Sequence, residues 1–142
     1  PGGLLCGCGQ QGCLEQYASG RALLRYMREE TGIDDLDAEA GKVLLENGDE
    51  AAWRAMRTVG KWLGAACASL SAVLDPQVYV IGGGVASAGD HFLAPIKQAF
   101  LSNLSAQGYH PEPEFRIAEL VNDAGVVGAA DLSRKHAQRL RG

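Results

Sequence analysis

A chain that runs a long helix into Asp75-Pro76, and from there directly into Val78-Tyr79-Val80-Ile81 and Gly82-Gly83-Gly84, has few folds open to it. Trp53, Met56, Val59, Leu63, Ala66, Leu70 and Val73 recur at near-heptad spacing, which predicts a helix from about Glu50 to Leu74. Its weakly charged second half is expected to be buried on most sides. Gly60, Gly64, Ala65, Ala68 and Ser69 are small enough to let another helix approach closely. Proline cannot continue the helix, so it stops at Asp75-Pro76. The run 78–81 is apolar and β-branched without alternation, the pattern of a strand covered on both faces.

The flanking segments extend this α/β reading. Residues 1–13 form a glycine- and cysteine-rich loop. Leu14, Tyr17, Ala18, Leu23, Leu24 and Met27 predict a helix from Leu14 that ends at Gly32. Asp37 is placed to cap a short helix reaching Leu45, and Asn47-Gly48-Asp49 reads as both a stop and a start. Downstream, a helix is expected from Gly89 to Leu104, interrupted near its first turns by Pro95. His110-Pro111-Glu112-Pro113 reads as a linker, and Phe115 to Leu120 as a second, less deeply buried strand. Asn122 or Asp123 then caps a final helix to about Leu140. Two strands are a poor platform for so much helix, so the sheet is expected to be incomplete and the chain to be cut from something longer. Three stretches follow: a loop at 1–13, a helical segment at 14–75, and strand–helix–strand–helix at 76–142.

Composition narrows the function classes. With 142 residues, 46% of them hydrophobic and 21% charged, the chain suits one soluble globular domain. No apolar run approaches the roughly eighteen residues of a membrane span, and no secretion signal is visible. A net charge of −4 argues against a nucleic-acid-binding surface. The one basic cluster, Arg134, Lys135, Arg139 and Arg141, falls in the last turns of the final helix, where cations complement the helix dipole. A cytoplasmic location is expected.

Cys6, Cys8 and Cys13 place three thiols in a C-x-C-x4-C pattern among glycines that let the backbone fold back. Soft sulfur ligands converging on one point favour structural zinc, with a disulfide as the competing reading. Cys6 and Cys8 are too close in sequence to bridge each other readily. A closed zinc site needs a fourth ligand. Cys67 lies inside the long apolar helix and reads as a core residue, while His91, His110 and His136 are scattered. The fourth ligand is therefore expected upstream of Pro1.

The run from Pro1 to Gly20, carrying Cys6-Gly7-Cys8-Gly9-Gln10-Gln11-Gly12-Cys13-Leu14-Glu15 and Ser19, closely resembles the signature of the ROK family (repressors, open reading frames and kinases). Its C-x-C-G-x-x-G-C-x-E-x-x-x-S pattern is matched at every specified position, in wording most similar to the actinobacterial glucokinases. Asp75 to Val85 resembles the strand and glycine turn of the adenosine motif of actin-like ATPases, and Asn122 to Ala130 the closing helix of the family.

The resemblance implies the carboxy-terminal part of an actin-like ATPase (ribonuclease H-like) fold, from a kinase that uses ATP with magnesium to phosphorylate a sugar, glucose being favoured. Mannose, fructose, allose and N-acetylmannosamine stay open, as does polyphosphate as donor. It further implies that Cys6, Cys8 and Cys13 hold zinc with a histidine upstream, and that Glu15 accepts hydrogen bonds from sugar hydroxyls. Gly82, Gly83 and Gly84 would wall the adenosine pocket, with Gly125 contributing. No aspartate here sits in the motif of the catalytic base, so no catalytic residue is assigned and the chain alone is expected to be inactive. The unpaired edge of the 78–81 strand implies association with another copy or a covered edge, hence a homo-oligomer. A sugar-responsive repressor of the same family and a zinc-stabilised scaffold are the competing readings.

Overall fold

The computed structural model describes residues 2–105, 107–109, 111–120 and 123–140. Pro1, His110, Asn122 and Arg141, which figure in the sequence reading, lie outside them. Among the described residues the elements are a 3₁₀ turn (Leu14–Gln16), α1 (Gly20–Thr31), α2 (Ala38–Glu46), α3 (Glu50–Leu74), β1 (Val78–Ile81), a second 3₁₀ turn (Gly84–Ala88), α4 (Asp90–Asn103), β2 (Glu114–Ile117) and α5 (Ala124–Arg139).

Local chemistry sets most of these boundaries. Asp37 accepts the Ala40 N–H at 2.8 Å to cap α2, and Asp49 accepts that of Ala52 at 2.9 Å to cap α3. Asn47 and Gly48 separate the two helices, Gly48 at a φ of 75°. Helix α3 ends where Asp75 turns left-handed, at φ 43°. Helix α1 starts later than the spacing from Leu14 predicts. Ser19 is extended and accepts the Ala22 N–H at 3.2 Å, so the helix opens at Gly20. The apolar residues before it serve a different contact: the Tyr17 ring packs on Trp62 of α3 with centroids 4.7 Å apart.

Helix α4 crosses α3 on its glycines. A β-carbon at Gly60 would sit 2.9 Å from Pro95, and one at Gly64 would overlap the Ile96 carbonyl and the Ala99 methyl. Pro95 does not interrupt α4, which is continuous from Asp90 to Asn103; the ring is packed against Gly60 instead. Met56, Val59, Ile96 and Phe100 form the centre of the core. β1 and β2 pair in parallel with Tyr79 opposite Phe115, and both rings meet Phe100. The Tyr79 hydroxyl donates to the Cys67 carbonyl at 2.7 Å, tying the sheet to α3.

Three burial expectations are corrected. β1 is covered on one face only: Tyr79 and Ile81 turn toward the helices, while Val78 and Val80 are 42% and 60% exposed. Alternation of side chains along a strand forces this, because α3 and α4 pack on a single side. Nor is the second half of α3 buried on most sides. Burial stops at Ala68, and Val73 is 81% exposed, beyond the reach of α4. Conversely, β2 is shorter than expected but not the shallower strand. Phe115 is buried because Tyr79 and Phe100 enclose it.

The far end is open as well. No residue of α5 is buried, and Asp123 makes no side-chain cap. Arg134 and Lys135 pair with Asp131 on the same helix at 2.6 and 2.7 Å, so part of the basic cluster is balanced by a carboxylate as well as by the dipole. Among the described residues β1 pairs only with β2, leaving its second edge without a ladder, and no helix is long and apolar enough to cross a membrane.

Candidate functional site

The loop at 5–13 folds back as its glycines suggest. Leu5 and Gln11 form an antiparallel bridge, the Cys6 N–H donates to the Gln10 carbonyl at 2.8 Å, and the Gly9 N–H to the Cys6 carbonyl at 2.9 Å. Gly9 and Gly12 take φ values of 86° and 76°, a region that side chains disfavour. The result is a cluster. The sulfurs of Cys6, Cys8 and Cys13 all lie within 4.8 Å of one another, those of Cys8 and Cys13 at 3.6 Å.

Their chemistry fits a soft cation. Hydrogen bonding from the Cys8 sulfur, and then from Cys6, pushes the Cys13 thiol up to about 11, while a backbone hydrogen bond at Cys8 draws Cys6 below its ordinary value. The trio thus pairs Cys6, which gives up its proton more easily than usual, with Cys13, which holds its proton more firmly. A cation with thiolate preference would take that proton's place. Zinc affinity is therefore expected to rise with pH, about tenfold per unit for each displaced proton, and the proton on Cys13 keeps contributing until the pH approaches about 11. Competition with a chromophoric chelator reads this slope, and a flat profile would rule out thiolate ligation. Among the described residues no His, Asp or Glu completes the cluster. Cys67 is buried in the core, where burial raises its thiol, and His91 packs on Trp53 with ring centroids 5.4 Å apart.

Glu15 sits in the 3₁₀ turn that begins beside Cys13, whose carbonyl accepts the Gln16 N–H at 2.9 Å. Its carboxylate is exposed and accepts from the Arg21 guanidinium at 2.6 Å. The turn is fastened on its far side by Tyr17, whose hydroxyl accepts the Leu4 N–H at 2.8 Å while its ring rests on Trp62. Helical spacing had assigned Tyr17 to a helix face, which concealed this fastening. Arg21 carried no signal in the sequence.

Gly82, Gly83 and Gly84 line a cleft of about 640 Å³ together with Ser19 and Gly20 at the start of α1 and Glu39 and Lys42 of α2. Gly83 has a φ of 87°, and nothing lies within 4 Å of where its β-carbon would be; conformation rather than crowding selects glycine there. Neither Glu15 nor Gly125 lines this cleft. Gly125 stands in the exposed first turn of α5 with open space around it. The structure brings together the three cysteines, with Glu15 in the turn that follows them, and separately the three glycines, while Gly125 lines neither place.

The sequence model of the ROK family matches residues 1–136. The chain belongs to the ROK family. It is 37% identical to the glucokinase of Streptomyces coelicolor over 151 residues, which covers 95% of this chain and 48% of that protein. A ROK family glucokinase from Streptomyces griseus, solved in complex with glucose and AMPPNP, superposes with a TM-score of 0.87 at 37% identity, over 94% of this chain and 48% of its own. A ROK family transcriptional regulator, a homologue of the Escherichia coli MLC protein, superposes with a TM-score of 0.67 at 25% identity, over 82% and 32% of the two chains. This ROK chain therefore spans about half the length of the relatives it matches. Its fold is the helix-rich part of an actin-like ATPase (ribonuclease H-like) architecture, with a two-stranded, incomplete sheet.

Proposed function

We propose that this chain is the sugar- and nucleotide-contacting part of an ATP-dependent hexose kinase of the ROK family, with glucose as the sugar. The observation that carries this reading is the thiol cluster leading directly into the Glu15 turn, in a chain that superposes on a glucokinase bound to glucose and an ATP analogue. Cys6, Cys8 and Cys13 would hold zinc, with a fourth ligand from outside the described residues, and the metal would fix the loop that presents Glu15. A carboxylate accepts two hydroxyl donors and so holds a hexose in one orientation. The bare main chain at Gly82, Gly83 and Gly84 would let an adenosine lie against the backbone of the cleft.

ATP with magnesium supplies the phosphoryl group. The residues of this chain supply binding and orientation, and none is assigned as the base that takes the sugar proton. Among the described residues Glu39 is the one carboxylate lining the glycine cleft, and Glu15, paired with Arg21, does not line it. The 142-residue chain is accordingly expected to form no glucose 6-phosphate in a dehydrogenase-coupled assay, whereas the whole protein does. Phosphorylation by the isolated chain would overturn the assignment of roles, and a whole protein inert toward every hexose would overturn the kinase reading.

The likeness to a ROK regulator favours a second reading, in which the same loop serves as a sugar sensor in a repressor. ATP turnover by the whole protein decides between the two.

A further inference from the structure

We propose that Arg25 is a positioning residue for the sugar-binding carboxylate, holding the Glu15 turn against helix α1 so that glucose affinity depends on it. The inference rests on the reading of Glu15 as the acceptor of sugar hydroxyls. Within the turn, the Cys13 carbonyl accepts the Gln16 N–H at 2.9 Å, and the Leu14 carbonyl accepts those of Tyr17 and Ala18 at 2.9 and 2.8 Å. The Gln16 carbonyl is the last of the turn, and so short a 3₁₀ segment supplies no following N–H for it. The Arg25 guanidinium donates to it instead, at 2.7 Å. Arg25 is itself held. Its side chain is 34% exposed, its guanidinium carbon lies 4.8 Å from the centre of the Tyr26 ring, and its Nε stands 3.7 Å from a Glu29 carboxylate oxygen. A planar fork engaged on an edge and a face loses little further freedom in making the bond to Gln16. Arg21 is the opposite case: it touches Glu15 directly, yet its side chain is 83% exposed. The residue beside the carboxylate is loose, and the residue behind the turn is fixed.

The turn is thus held from three sides. The thiol loop anchors it at Cys13, Tyr17 fastens it to Leu4 and Trp62, and Arg25 ties its last carbonyl to the body of α1. A carboxylate that must accept two hydroxyls in one orientation is sensitive to small displacements of the backbone that carries it. Without Arg25 the Gln16 carbonyl turns to water, and the Glu15 turn loses its registration on α1. The start of α1 does not depend on this contact, because Ser19 caps it by accepting the Ala22 N–H. Ser19 and Gly20 line the glycine cleft, so the nucleotide side should be spared. The effect falls on sugar affinity.

The test compares Arg25→Met, which keeps the apolar stem and removes every donor, with Arg25→Lys, which keeps a charged donor. In the whole protein, Arg25→Met is expected to raise KM for glucose about tenfold, with kcat and KM for ATP changed by less than about threefold. Arg25→Lys should recover most of that loss. A merely structural role would lower the folded fraction, and with it kcat, at an unchanged KM. The deciding measurement is made in the Glu15→Gln background, where Arg25→Met should add less than about twofold to KM, because the two residues act as one unit. Should Arg25→Met not fold, Arg25→Lys carries the same comparison: a smaller rise in KM that disappears in the Glu15→Gln background. Additive losses, a kcat defect at unchanged KM, or a loss in Arg25→Lys equal to that in Arg25→Met would overturn the proposal. An unchanged glucose KM in Arg25→Met would overturn it too, while leaving the kinase reading standing. A whole protein that phosphorylates no hexose overturns both.

Discussion

Gly64→Val is expected to destabilise the chain by about 3 kcal/mol, read as a lower midpoint in urea at an unchanged slope. The position is not a generic helical glycine. Its β-carbon would stand 2.7 Å from the Ala99 methyl and 2.8 Å from the Phe100 nitrogen, and would overlap the Ile96 carbonyl. Two of these are backbone atoms of α4 and cannot rotate away. The helices must separate, which loosens Ile96 and Phe100 from the centre of the core. Higher helix propensity than glycine returns well under about 1 kcal/mol, so overpacking wins. Gly128→Ala is the matching control. Gly128 lies in α5 with open space around it, and the same removal of a glycine should there raise helix content and cost no stability. If Gly64→Val were as stable as the parent chain, α4 would not cross α3 on this glycine.

Glu15→Gln, made in the whole protein, is expected to weaken glucose binding about 10- to 100-fold, the loss of a charge-assisted hydrogen bond to a sugar hydroxyl. Its effect on folding should be small. Glu15 is exposed, and its partner Arg21 is more exposed still, a surface pair worth at most about 1 kcal/mol. Magnitudes separate the two roles. Arg21→Ala removes the same ion pair but leaves the carboxylate, so it should retain glucose binding where Glu15→Gln loses it. Calorimetric titration with glucose measures both, and equal losses in the two variants would mean that Glu15 acts only through Arg21.

The helices were legible wherever capping and spacing acted locally. Asp37, Asp49 and Gly32 are punctuation that any short peptide could carry, and the structure uses all three. The start of α1 was not legible, because Tyr17 and Ala18 occur at helical spacing for another reason: Tyr17 reaches across to Trp62. Burial along 78–81 and at the end of α3 was misread for a related reason. Apolar composition says what a residue could bury, not whether a partner layer stands opposite it, and Val73 and Val80 have none among the described residues. At the site, the three cysteines and Glu15 were legible because they sit in one short loop. Arg21, and the company that Gly82 to Gly84 keep with Ser19, Glu39 and Lys42, were not.

The sequence alone determined the thiol trio, the carboxylate that follows it, the helix caps and the glycine run after β1. These depend on residues near one another in the chain, where backbone conformation and spacing suffice. Tertiary structure decided that Gly64 is a crossing point, that β1 is covered on one face, and that the glycine turn opens on α1 and α2 while Gly125 stands apart. Each of those depends on which distant surface arrives opposite a residue, and close packing across sequence separation is a property of the folded chain rather than of any local pattern.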